Sequence, residues 1–138
     1  MRITEKIDEI EKFLSEMQDI IPPDFQTYMA DLKTKAACER YFEKIVESLV
    51  DLAYLIIKDK GLKMPEDDKE TFDILATAEI IPAPLAIKLK EAKGMRNIIS
   101  HQYGNVDDEI VFESITQELC KDAQDYLLRI KRMMSRNK

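Results

Sequence analysis

Between Met95 and Tyr103 the chain reads MRNIISHQY, which gathers Arg96, Asn97, Ser100, Tyr103 and the only histidine of the sequence, His101. Arginine carries a permanent charge on a planar fork that grips phosphate in a bidentate way. Histidine exchanges a proton near neutral pH. Acting without a metal, the pair suits RNA cleavage. His101 would take the ribose 2′-OH proton or protonate the leaving 5′-oxygen, while Arg96 holds the scissile phosphate and its growing charge. The reaction leaves a 2′,3′-cyclic phosphate or its hydrolysed product, and it spares DNA because it needs the 2′-OH. A plainer role exists for each group. A lone histidine at a helix C-terminus serves as a dipole partner or half-buried hydrogen bonder, and Tyr103 suits amphipathic packing.

Helix geometry restricts how these residues can cooperate. Residues four apart share a face, so Asn97 aligns with His101 and Arg96 with Ser100. Arg96 and His101 are five apart and diverge by about 140° around a regular helix. To converge on one phosphate they need a helix that unwinds near Ser100, or the long reach of arginine, or a second chain that completes the site. Upstream, Glu47 and Asp51 stand one turn apart. They read either as a solvated acidic pair or as carboxylates that orient Arg96 or His101 from a packed neighbour. Tyr41, Tyr54 and Met64 are given only a core or surface role.

Helices must carry this machinery. The 138 residues are 45% hydrophobic and 35% charged, with 3 glycines and no tryptophan, which fits one all-α domain over 1–138. Ile3, Ile7, Ile10, Leu14, Met17 and Ile21 form one apolar stripe, ended by Pro22-Pro23, after which Asp24 can cap the next helix. A long helical pattern runs from Phe25 to about Lys58, with Phe42, Ile45, Val46, Leu49, Leu52, Ala53, Ile56 and Ile57 on one broad face. Gly61 stops it. A short helix over about Lys69 to Ala78 follows. Pro84 then suits the first turn of a helix that runs into the opening stretch. Gly104-Asn105 signals a turn, and Asp107 can cap a last helix lined by Phe112, Ile115, Leu119, Ala123, Tyr126 and Ile130. The expectation is an up-and-down bundle of four main helices plus a short one.

A net charge of −6 argues against a dedicated duplex-DNA binder. Charge is uneven, however. Lys88, Lys90, Lys93 and Arg96 cluster, and the end of the chain, about 129–138, is strongly basic. Those terminal cations either complement a helix macrodipole or hold an RNA phosphate locally. Cys38 and Cys120 have no CxxC neighbour and read as buried thiols, so neither a metal nor a cofactor is expected. No apolar run approaches the roughly 20 residues that cross a bilayer, and the charged N-terminus does not resemble a secretory leader. A cytoplasmic location is expected.

Arg96-Asn97-(x)3-His101-x-Tyr103 fits R-x4-H-x-Y, and with it the chain resembles the HepT-like branch of the HEPN superfamily. The likeness extends to Phe72-(x)2-Leu75, Ile80-Ile81-Pro82, Lys93-Gly94-Met95 and Val106-Asp107-(x)2-Ile110-Val111, and to Arg40 upstream of Glu47 and Asp51 on the long second helix. The resemblance implies a HEPN-like helical bundle that forms a homodimer, the two motifs meeting in a cleft. It implies a metal-independent ribonuclease toxin acting on mRNA or tRNA, with Arg96 and His101 catalytic and Asn97, Ser100, Glu47 and Asp51 in support. Its partner would be a cognate minimal nucleotidyltransferase antitoxin that silences it by attaching AMP to Tyr103. The alternative within the same resemblance is a catalytically inactive binding subunit of that nucleotidyltransferase.

Overall fold

The computed structural model describes residues 2–101 and 106–136, and among them there is no strand. The first stripe folds as α1 (Arg2–Ile20), which buries Ile3, Ile7, Ile10, Leu14 and Met17. The long pattern that follows is not one helix. It divides into α2 (Phe25–Ala30) and α3 (Leu32–Asp59) at Asp31, whose backbone is extended at φ −118° and ψ 98°. Asp31 stops one helix because its carboxylate starts another. It accepts from the backbone N–H groups of Lys33 (3.1 Å) and Thr34 (3.4 Å) and from the Thr34 hydroxyl (2.7 Å), supplying donors that a helix start leaves unsatisfied. Asp24 caps α2 in the same way through Thr27 N–H at 2.7 Å.

α3 is the axis of the molecule. It packs against α1, α2, α4 (Asp68–Thr77) and α5 (Ala83–His101), and its buried residues include all eight of the expected broad face. α6 (Asp108–Glu113), capped by Asp107, leads through a π-helical turn (Ser114–Leu119) into α7 (Cys120–Arg136). Ser114 and Cys120 both keep right-handed helical angles, so the last helix is continuous, with one widened turn in its middle. Tyr126 locks it to α3. This fully buried residue donates its hydroxyl hydrogen to the Leu49 carbonyl at 3.1 Å, and its ring meets Phe72 edge-on at 6.0 Å. At the other end Phe25, Tyr28 and Phe112 stack α2 on α6.

The basic stretch from Arg129 to Arg136 forms the last turns of α7. Within it Arg129 pairs with Asp125 (3.2 Å) and Lys131 with Glu11 (2.8 Å). No helix among the described residues is long and apolar enough to cross a membrane.

Candidate functional site

α5 lies antiparallel to α3, and the crossing is held by a ladder of polar pairs. Glu43 of α3 accepts a hydrogen bond from the Ser100 hydroxyl, and Glu47, one turn on, pairs with the Arg96 guanidinium. Both rungs follow from helical spacing: 43 and 47 share a face of α3, as 96 and 100 share a face of α5. At the next level Lys93, only 8% exposed, reaches Asp68 at the start of α4 at 3.2 Å. Lys90 meets Asp73 at 2.9 Å. The cationic run on α5 is therefore largely consumed in pinning α5 to α3 and α4, since Lys90, Lys93 and Arg96 each face a carboxylate.

A groove of about 300 Å³ opens beside Arg96, lined by Glu47, Asp51, Tyr54, Asp68 and Lys93 together with Val50. Three carboxylates there oppose two cations, so the groove repels a polyanion. It positions Arg96 rather than receiving a phosphate. Tyr54 donates to Asp68 at 3.0 Å, and burial followed by that hydrogen bond raises its phenol above the ordinary value. Asp51 lines the same groove, but its ion pair is with Lys6 of α1 at 3.6 Å. The structure thus brings Glu47 to Arg96 and directs Asp51 elsewhere.

Arg96 is largely buried, with 18% of its side chain exposed. Its Nε–H is buried and, among the described residues, has no hydrogen-bond partner. Glu47 therefore does not exhaust the guanidinium's donors. Asn97 is half-buried beside it and His101 is exposed at the last position of α5. The helix does not unwind near Ser100, because α5 stays helical through His101. Arg96 and His101 accordingly diverge by about 140°, with Asn97 on the His101 side and Ser100 on the Arg96 side. Tyr103 and the Gly104-Asn105 turn signal lie outside the described residues.

Two participants escaped the sequence reading. Glu43 is legible only as the residue one turn before Glu47, and becomes meaningful once Ser100 is known to face it. Tyr54, given a plain packing role, stands in the wall of the Arg96 groove. Among the described residues no group of three or more His, Cys, Asp or Glu side chains is placed to hold a metal ion.

Comparison with known proteins places this geometry. The family model described as Ribonuclease HepT-like matches residues 3–131. A candidate RNase of Archaeoglobus fulgidus is 31% identical over 118 residues, spanning 84% of this chain and 81% of that protein. The mRNA nuclease HepT of Shewanella oneidensis is 26% identical over 129 residues, 94% of this chain and 96% of the relative. Among solved structures, the tri-AMPylated HEPN toxin of Shewanella oneidensis in complex with an MNT antitoxin superposes with a TM-score of 0.88 at 25% identity, covering 94% of this chain and 96% of that one. The chain belongs to the Ribonuclease HepT-like family of HEPN proteins.

Proposed function

We propose that the protein is a metal-independent endoribonuclease toxin whose site is built from Arg96 and His101 and controlled at Tyr103. The observation that carries this reading is the clamped arginine. Glu47 fixes the guanidinium near the C-terminal end of α5, a buried Nε–H has no partner among the described residues, and His101 stands exposed five residues on. In the reaction the ribose 2′-oxygen attacks the adjacent phosphorus, His101 accepts the hydroxyl proton, and Arg96 stabilises charge on the non-bridging oxygens. The bond to the 5′-oxygen breaks, that oxygen takes a proton, and the products are a 2′,3′-cyclic phosphate and a 5′-hydroxyl.

One chain directs its arginine and histidine apart, so the pocket draws on two copies. In a homodimer with the α5 ends adjacent, the histidine of one copy approaches the arginine of the other. With both motifs in one cleft, the histidine of one copy takes the 2′-proton and the histidine of the other protonates the leaving oxygen.

The controlling partner in this reading is a minimal nucleotidyltransferase antitoxin. AMP attached to Tyr103, seven residues beyond Arg96 in the sequence, adds bulk and negative charge to the motif, and like charge then opposes RNA phosphate. The MNT antitoxin bound to the tri-AMPylated Shewanella toxin supports this assignment.

The test is expression of wild type, Arg96→Ala and His101→Ala in a bacterium lacking the partner gene, with growth and RNA ends both followed. Wild type should arrest growth and leave cyclic-phosphate ends. Each variant should lower cleavage by about 10²–10³-fold. Equal growth of all three cultures with identical RNA would overturn the ribonuclease reading. Modification of Tyr103 on co-expression with the partner, with RNA unchanged in every culture, would instead identify an idle binding subunit of the nucleotidyltransferase.

A further inference from the structure

At the opposite end of the bundle from His101, the C-termini of α3 and α7 and the turn between α4 and α5 surround a cavity of about 430 Å³. Its rim carries Lys60, Arg129, Arg132 and Arg136, with Glu79 as the one carboxylate. Arg129, Arg132 and Arg136 recur at spacings of three and four along α7 and so share a face. Among the described residues, no ion pair engages Lys60, Arg132, Arg136 or Glu79. The floor is apolar, formed by Leu62, Ile80 and Met133.

The simplest account of cations at helix ends is complementation of the macrodipole, and its size can be judged. With Arg129 already paired to Asp125, the three remaining cations and one carboxylate leave a formal +2 around the cavity. Three helix C-termini of about −0.5 each offset most but not all of that. A weakly positive pocket therefore remains, with Lys60, Arg132 and Arg136 outside any ion pair among the described residues, on a chain whose total charge is −6.

The backbone beneath it supplies an independent observation. Two helices end here in the same motif. Gly61 N–H bonds Lys58 O (3.2 Å) and Leu62 N–H bonds Ile57 O (2.9 Å). Likewise Glu79 N–H bonds Ala76 O (3.0 Å) and Ile80 N–H bonds Leu75 O (2.9 Å). Each motif places its central residue in the left-handed region, at φ 64° for Gly61 and 62° for Glu79. Glycine is the usual occupant of that position, yet the second motif holds a glutamate there, in a conformation that disfavours any side chain. The strain is retained where it sets a carboxylate on the rim of a basic pocket.

We propose that this cavity binds a ribonucleotide unit of the RNA substrate, apart from the cleavage site. The cations take the phosphate, Glu79 accepts hydrogen bonds from ribose hydroxyls, and the apolar floor receives one face of the base. Thirteen residues of α3 separate Glu47 from Lys60, or about 20 Å along the axis, so one continuous strand engages both places. The cavity then acts as an anchor that lengthens the RNA footprint. The inference rests on the ribonuclease reading for its ligand but not for its test.

Binding of a short labelled oligoribonucleotide and of its deoxy counterpart is measured by fluorescence anisotropy in a His101→Ala background, where cleavage is slow on the timescale of the measurement. Charge reversal at the rim, Arg132→Glu with Arg136→Glu, should weaken RNA binding at least tenfold. It should also reduce the slope of log affinity against log salt by about 1.4, the share of two single-strand phosphates. Glu79→Gln, which keeps the side-chain length, should narrow the preference for the ribose strand. Affinity and salt slope within twofold of the parent would overturn the proposal, even with the wild type cutting RNA. Unchanged RNA binding together with loss of an acidic protein partner from the purified complex would also overturn it. RNA binding lost on charge reversal, in a protein whose wild type cuts nothing, would keep this site and remove the ribonuclease reading.

Discussion

Breaking the Glu47–Arg96 pair should reveal whether the carboxylate of α3 serves the arginine of α5 or merely lies beside it. Ion pairs in full solvent contribute about 0.2–1 kcal/mol, whereas removing one partner of a fully buried pair costs about 3–5 kcal/mol. This pair stands between those limits, because the Arg96 side chain is 18% exposed and that of Glu47 is 44% exposed. Water can replace much of what Glu47 offers, but little of what Arg96 has given up by burial. Glu47→Ala should therefore cost about 1–2 kcal/mol. A chain of 138 residues gains about 0.3 kcal/mol/K of unfolding entropy, so the melting temperature should fall by about 3–7 °C. A double-mutant cycle with Arg96→Ala should return a coupling of about 1–2 kcal/mol, measured by denaturant unfolding. In the cleavage assay Glu47→Ala should lower kcat with less effect on KM, since the arginine remains but its direction is lost. Glu47→Gln, which retains an amide oxygen as acceptor, should recover part of that rate. Single changes that add to within about 0.5 kcal/mol, with cleavage untouched, would refute the reasoning.

Two further outcomes follow from other parts of the fold. Burial, reinforced by Asp125 and Glu91 and opposed by Lys88 and Lys121, holds the Asp122 carboxyl above its ordinary 3.8. A carboxyl whose folded value is raised costs stability above that value, and the cost disappears as pH falls to its unfolded value. Asp122→Asn should thus raise the melting temperature at neutral pH, with a gain that shrinks as the pH is lowered toward 4. A gain that stays constant across that range in calorimetry would contradict the assignment. Glu79→Gly should relieve a left-handed backbone worth about 1–2 kcal/mol while losing about 0.5–1 kcal/mol to the freer unfolded chain. A net rise of about 2–3 °C in melting temperature is expected, and a fall would show that the Glu79 side chain stabilises the turn.

Much of the fold was legible in residue order. The stripe from Ile3 to Met17 and the broad face from Phe42 to Ile57 are buried as their periods require, because burial at a fixed helical spacing is a local property. Gly61, Pro84 and Asp107 fall where their backbone chemistry suits a stop, a first turn and a cap. The long pattern from Phe25 was misread as one helix because helical periodicity does not report a single capping residue, and Asp31 interrupts it. The π turn at Ser114–Leu119 was equally hidden: Val111, Ile115, Leu119 and Ala123 are buried at a spacing of four throughout, a run that an ordinary α-helix also allows over this length.

The candidate site divides along the same line. The residue types that can do chemistry, and the angle that separates Arg96 from His101, depend only on order along one helix, so the sequence determined them. Which carboxylate meets which cation depends on how two helices far apart in the chain cross. Packing alone decided that Glu47 takes Arg96, that Glu43 takes Ser100, and that Asp51 turns to Lys6. Packing also gathered the basic end of α7, the cap of α3 and the strained Glu79 around one cavity. No spacing along the chain encodes that meeting, because its members come from three separate helix ends.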